Sequence, residues 1–255
     1  MFSADTVRNP PRNYLLNTLP AGTHDRLRPQ LQVVALSLGD VVLQANERIQ
    51  YVYFPTSSIV SLLYKTENGA TAEMGVVGKD GIVGTAVLLG AESTCSQAVV
   101  ALAGEAIRLP CGLLLQEFER NLFVQRVLLR YTQALITQIS QTAVCNRLHS
   151  VEQRLCRWLL LCLDRSDNSD LRMTQDLIAH MLGRRRESVT VAAGNLQDLG
   201  LIDYCRGRIT VLDRCGLEAA ACECYRAGAD EIARLYGRKP AVPVNGFLPV
   251  AEQAG

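Results

Sequence analysis

The spacing of apolar positions divides the chain into stretches of different period. Residues 1 to about 13, marked by Asn9-Pro10-Pro11, read as a loose extended arm, and Asn13–Leu31 carries a short helical pattern. From Gln32 the texture becomes short and β-branched: QVVALSL, DVVLQ, IQYVYF, SIVSLLYKT, ATAEMGVV, QAVVAL and EAIRL follow one another. Turn signals separate them at Leu38-Gly39-Asp40, Asn68-Gly69 and Gly78-Lys79-Asp80-Gly81. Seven or eight short strands at this spacing predict a β-sandwich or jelly roll.

Past Gly112 no glycine or proline occurs until Gly183, and the period becomes helical. Asn121–His149 predicts one long helix, beyond average globular length. Leu128, Leu135 and Thr142 repeat every seven residues, and Leu129, Ile136 and Ala143 form an adjacent stripe. Two stripes give this helix two surfaces to pack on, its own β-domain and a second copy of itself. A single wide core face in a monomer is the competing reading, and the length of the helix weighs against it. Val151–Leu163, with Trp158 in LCRWLLLCL, is another apolar helix, followed by a polar loop at residues 164–170.

Thr174–Ile202 reads as two short helices joined at Gly183. The Thr174 hydroxyl is a good N-cap, and Asp176 sits near the positive end of the first helix dipole. Leu177, Ile178, Met181 and Leu182 form one apolar face; Val189, Ala192, Ala193 and Leu196 form the matching face of the second helix. That second helix is expected to open with Arg184, Arg185, Arg186 and Glu187, and a helix with such an entrance suits the DNA major groove. Arg can bind guanine bidentately and Glu can accept from cytosine, so Arg186 and Glu187 are suited to read base edges. The bland alternative is a helical hairpin with a solvated arginine cluster. Leu201–Tyr204 and Arg208–Val211 then predict a two-stranded wing around Arg206-Gly207. Gly216–Tyr236 predicts a terminal helix, and residues 237–255 a flexible tail.

Composition changes this picture little. The 255 residues are 48% hydrophobic, with 26 basic against 25 acidic side chains, so nucleic-acid affinity has to come from local clustering. Five arginines lie between Arg184 and Arg208. No apolar run reaches the length of a membrane span, and the N-terminus lacks a basic-then-apolar leader pattern, so a cytoplasmic protein is expected. Nine cysteines, without a CxxC pair or finger-like spacing, read as reduced and mostly buried thiols, with no metal or cofactor expected.

Jelly roll, long helix, helix-turn-helix and wing, in that order, resemble the Crp/Fnr family of bacterial transcription regulators over residues 13–236. The resemblance implies an α+β fold: a jelly-roll sensor domain (13–120), a dimerisation helix (121–149), a winged helix-turn-helix (150–236) and a tail (237–255). It is most specific in TQDLIAHMLGRRRESV, from Thr174, and LQDLGLI, from Leu196. The family reads bases with an Arg-Glu pair, a small polar position and a second Arg. Arg186 and Glu187 match the pair, Ser188 follows, Thr190 matches the small polar position, and Val191 replaces the second Arg. A valine there can meet a thymine methyl. Thr174, Arg184, Arg185, Arg206 and Arg208 are the expected phosphate contacts.

The sensor departs further from the family pattern. Cyclic-nucleotide members carry a G-E-L turn and, about ten residues on, an Arg-Ser/Thr pair. Here the corresponding stretches are Gly84-Thr85-Ala86 and Thr94-Cys95. The ribose-binding carboxylate and phosphate-binding guanidinium are both missing, and Ile139 cannot hydrogen-bond a base where the dimer helix, through Ile139 and Ser140, would cap it. These residues imply a degenerate effector pocket that does not take cyclic AMP. The oxygen-sensing members hold an iron–sulfur cluster near the N-terminus, whereas the first cysteine here is Cys95. The implied protein is a homodimer on double-stranded DNA, with RNA polymerase as a further partner, an unidentified small-molecule effector and no membrane. Two alternatives stand beside it: a thiol-gated regulator using Cys95 or Cys145, and a cupin-like enzyme. The enzyme lacks clustered ligands, since His24, His149 and His180 fall outside the expected strands.

Overall fold

The computed structural model describes residues 13–166 and 170–237. The expected N-terminal arm, the middle of the polar loop and the expected tail beyond residue 237 lie outside the described residues. The chain enters through α1 (Tyr14–Asn17) and α2 (Ala21–Leu27). Asn13, fully buried, caps α1 with its carboxamide oxygen and donates from Nδ2 to the Pro55 and Gly81 carbonyls, both at 2.8 Å. All seven apolar segments are strands: β1 (Gln32–Leu36), β2 (Val41–Leu43), β3 (Tyr51–Pro55), β4 (Ile59–Lys65), β5 (Thr71–Val77), β6 (Gln97–Leu102) and β7 (Gly104–Pro110). They form two antiparallel sheets, β1-β7-β3 and β2-β6-β4-β5. Between them Val52, Phe54, Val60, Ile82, Val100 and Leu109 pack with essentially no exposure.

Two helices follow without interruption of the core. One, α3 (Cys111–Arg120), has no distinct signal in the sequence; the other, α4 (Leu122–Leu148), matches the long-helix expectation within a residue at each end. Asn121 caps α4 by accepting from the amides of Phe123 and Val124, and His149 ends it in an extended conformation. Leu128 and Leu135 are buried against the sandwich, and Thr142 is buried with its hydroxyl accepting from Arg157 Nη2 of the following helix. Leu129, Ile136 and Ala143 of the second stripe are exposed.

A Ser150–Gln153 capping box starts α5 (Val151–Arg165), the apolar helix that carries Trp158. Its residues share one core with the four-stranded sheet on one side and with the C-terminal elements on the other. The rest comprises β8 (Asp170–Arg172), α6 (Gln175–Leu182), α7 (Arg186–Asp198), β9 (Ile202–Cys205), β10 (Arg208–Val211), α8 (Arg214–Ala220) and α9 (Cys224–Leu235). Two expectations are corrected here. Asp170, read as the last residue of a polar loop, instead opens a third strand of the wing, Asp170–Arg172, in the order β8-β10-β9. The single helix expected over Gly216–Tyr236 is two, because the chain leaves the helical conformation at Ala221, where ψ is 156°.

Two polar joints hold the sandwich to α5. Asp80 and Arg165 pair at 2.9 Å with both side chains nearly inaccessible, and the Lys79 ammonium donates to the Ser166 carbonyl at 3.3 Å. The Gly78-Lys79-Asp80-Gly81 turn needs its glycines, since a Cβ on Gly78 would lie 2.5 Å from Arg165 and one on Gly81 would collide with the Tyr131 ring. One layer further in, the buried Glu73 carboxylate accepts from the Ser61 hydroxyl at 2.5 Å and from Trp158 Nε1 at 3.1 Å. Burial lifts the Glu73 carboxyl to about 7 against the pull of these two donors and of Arg157 and Arg165. The folded state therefore holds this proton more tightly than the unfolded chain. Stability from this group is greatest below the ordinary carboxylate value and falls as pH rises towards 7. Denaturant titrations should show the protein losing about 1–3 kcal/mol between pH 5 and pH 8 from this site, and Glu73→Gln should flatten that slope. An unchanged slope in the variant would contradict the assignment.

Candidate nucleic-acid interface

The helix-turn-helix forms because α6 and α7 each present small apolar faces to the other. Ile178, Ala179 and Leu182 of α6 pack with Val189, Ala192, Ala193 and Leu196 of α7, all buried. Thr174 Oγ1 accepts from the Leu177 amide at 3.2 Å, capping α6 as expected. Gly183 adopts φ 57° and closes the helix, and the Arg184 amide returns to the Ala179 carbonyl at 3.0 Å. A correction of two residues follows: Arg184 and Arg185 belong to the turn, and α7 starts at Arg186 with Arg185 as its N-cap. No side chain caps that end; the Ser188 and Val189 amides return to the Arg185 carbonyl, and those of Arg186 and Glu187 face the open end of the helix.

Arg184, Arg185, Arg186, Glu187, Ser188, Thr190 and Val191 are all exposed, and Val191 keeps 63% of its surface. The Thr190 hydroxyl donates to Gln175 Oε1 at 2.8 Å, which fixes its orientation one turn beyond Arg186. Arg186 approaches Asp176 at 3.5 Å with both side chains 60% exposed; such a pair is weak and yields readily to a phosphate or base. Arg206 (φ 50°) and Gly207 (φ 74°) form the two-residue turn between β9 and β10, the left-handed pair a tight twisted hairpin requires. Arg208, beside that turn, lies 3.7 Å from Asp170.

Thr174, Gln175, Asp176, Arg186, Tyr204, Arg206 and Gly207 line one cleft of about 390 Å³ between scaffold helix, recognition helix and wing. Arg184 and Arg185 line a second, of about 570 Å³, whose opposite wall is Gly69-Ala70-Thr71 from the β4–β5 turn. The β4–β5 hairpin thus borders the start of α7.

The cavity inside the β-sandwich is far smaller. Gly84, Thr85 and Thr94 line a space of about 50 Å³ with Leu43, Ile49, Leu62, Ile82 and Leu135, and no cationic side chain faces it among the described residues. Ligand pockets usually exceed ~300 Å³. Three residues assigned to this pocket stand outside its lining: Cys95 is exposed, Ser140 is exposed with its hydroxyl on the Ile136 carbonyl, and Ile139 packs against the sandwich core. Leu135, one turn earlier on α4, takes the place expected of them.

Residues 33–121 match the model of the cyclic nucleotide-binding domain, and residues 153–220 match the Crp-like helix-turn-helix domain. The two matches together span more than half of the chain. The chain belongs to the Crp/Fnr family. No curated protein matches it in sequence. Among solved structures it resembles FixK2 from Bradyrhizobium japonicum, at 16% identity over 75% of this chain and 98% of that one, with a TM-score of 0.65. A Crp/Fnr transcriptional regulator from Thermus thermophilus aligns at 23% identity over 74% and 98%, with a TM-score of 0.57. The c-di-GMP-responsive global regulator CLP of Xanthomonas campestris aligns at 18% over 76% and 100%, with a TM-score of 0.58. At these identities the likeness to solved structures is one of fold. The family of this chain is one of transcription regulators, which removes the cupin-like enzyme. All three histidines also lie outside the sheets, His24 in α2, His149 after α4 and His180 in α6. Among the described residues no helix is long and apolar enough to cross a membrane.

Proposed function

We propose that this Crp/Fnr-family protein is a homodimer that binds a two-fold-related DNA operator sequence-specifically through α7 and the wing. The observation that carries the reading is the convergence of Thr174, Arg186 and Arg206 on one open cleft beside the exposed Glu187, Thr190 and Val191. Arg186 and Glu187 read base edges, Thr190 and Val191 meet the next base pairs, and Thr174, Arg184, Arg185, Arg206 and Arg208 hold phosphates. Contact with RNA polymerase at a bound promoter belongs to the same proposal. The working division is a sensor at 13–120, the dimerisation helix at 121–149 and the DNA-binding head at 150–236.

The exposed apolar stripe of α4, Leu129 and Ile136 with Leu122 and Val144 nearby, supports pairing with a second copy. The narrow, uncharged cavity supports a sensor that does not take cyclic AMP: a cyclic phosphate would find neither room nor a guanidinium. Cys95 is exposed and does not itself line the cavity, although Thr94 and Ser96 on either side of it do, which weakens a thiol switch there.

Selection of bound duplexes from a random pool tests the base-reading assignment. Wild type should enrich a two-fold-related motif; Arg186→Ala and Glu187→Ala should each relax one base pair per half-site at ~1–3 kcal/mol, whereas Arg208→Ala should weaken all sequences alike. A Glu187→Ala motif identical to wild type would remove Glu187 from base reading. For the dimer, light scattering should find two chains per particle in wild type and one in Ile136→Glu, with circular dichroism unchanged. A dimeric Ile136→Glu protein would place the interface elsewhere.

A further inference from the structure

The packing of α9 along α4 assembles a group of side chains that the spacing in the chain conceals. Cys145 and His149 stand one helical turn apart at the end of α4, and Cys222 and Cys224 flank the start of α9, 77 positions from Cys145 to Cys222. Their ligand atoms all lie within 4.8 Å of one another. Cys145 Sγ is 3.5 Å from Cys222 Sγ, and Cys224 Sγ is 3.7 Å from His149 Nδ1. An ion held tetrahedrally at ~2.3 Å from sulfur and ~2.0–2.1 Å from nitrogen needs ligand separations of about 3.4–3.8 Å. We propose that Cys145, His149, Cys222 and Cys224 form a Cys₃His site for one zinc ion, stapling the end of α4 to the start of α9.

Four further observations point the same way. The three thiols form a cluster of their own, separate from both apolar cores, so they are not filling space among leucines. His149 places Nε2 3.3 Å from a Glu223 carboxylate oxygen and turns Nδ1 toward Cys224 Sγ; a carboxylate behind the imidazole is the usual support of a zinc-bound histidine. Cys222 and Cys224 are two apart, and in a continuous helix they would face away from each other. The break between α8 and α9 is what lets both sulfurs turn to one point. Finally, three thiolates around Zn²⁺ carry one negative charge. The buried Arg157, whose charge reaches Cys145 and Cys224, makes no ion pair among the described residues; its Nη2 bonds Thr142 and its Nε is unpartnered. Binding releases the thiol protons to solvent. Ligand atoms this close enclose a single ion, not a multi-iron cluster, and the nitrogen–sulfur set suits zinc.

The test is metal content of the full-length protein, purified under reductant without chelator, together with titration by Co²⁺ alone. Wild type should hold one zinc per chain and, after exchange, show an intense sulfur-to-cobalt charge-transfer band. Cys222→Ser/Cys224→Ser should lose both signals, while Cys156→Ser, a buried thiol outside the group, should keep them. Should the double variant fail to fold by circular dichroism, Cys222→His decides instead, retaining the metal with a shifted cobalt spectrum. Reduced wild-type protein that contains no zinc and gives no charge-transfer band overturns the proposal. So does a Cys145–Cys222 disulfide in metal-free protein alkylated at lysis, or zinc retained by a folded double variant. None of these readouts involves DNA, so they stand or fall apart from the DNA-binding reading.

Discussion

Asp80 and Arg165 meet at 2.9 Å with almost no water around either, where the tight turn after β5 presses on the last turn of α5. A buried pair of this kind adds little net stability, but breaking it leaves a charge stranded at a cost of about 3–5 kcal/mol. Its effect is therefore to fix geometry. The glycines at 78 and 81 exist at this spot because any side chain would strike Arg165 or Tyr131. With the Glu73–Trp158 bond beside it, the joint holds α5 on the sandwich, and α5 in turn forms the floor on which α6, α7 and the wing pack.

That arrangement brings the β-sandwich up against the helix-turn-helix. The β4–β5 turn borders the start of α7, and Arg154 of α5 donates to the Leu182 carbonyl at the end of α6. On the other side, α4 packs on the sandwich and on α9 and leaves an apolar stripe open.

Periodicity makes much of this legible. Seven apolar segments are seven strands because each is short, β-branched and bounded by turn residues, and α4 ends where Asn121 and His149 say it should. What escapes depends on contacts remote in the chain. Asp170–Arg172 is a strand only because β10 lies beside it. α8 and α9 separate although nothing as strong as a proline parts them. Arg184 and Arg185 look helical by composition, yet Gly183 in the left-handed region needs both to complete the turn. In the sensor, the assignment of Ile139 and Ser140 rests on analogy with a wider pocket, and a one-turn offset on α4 puts Leu135 there instead. The four metal-type side chains are hidden for a different reason. Cys-x₃-His on a helix and Cys-x-Cys at a helix start match no common finger spacing, and only the α4–α9 contact joins them.

In the proposed complex two copies of this chain present two recognition helices to one operator. A hydroxyl-radical footprint on a duplex enriched by the protein examines it most directly. Two symmetric protected tracts, with centres about 34–36 Å apart along the helix axis, are the predicted result. A single asymmetric tract, or protection spread without sequence dependence, would contradict it.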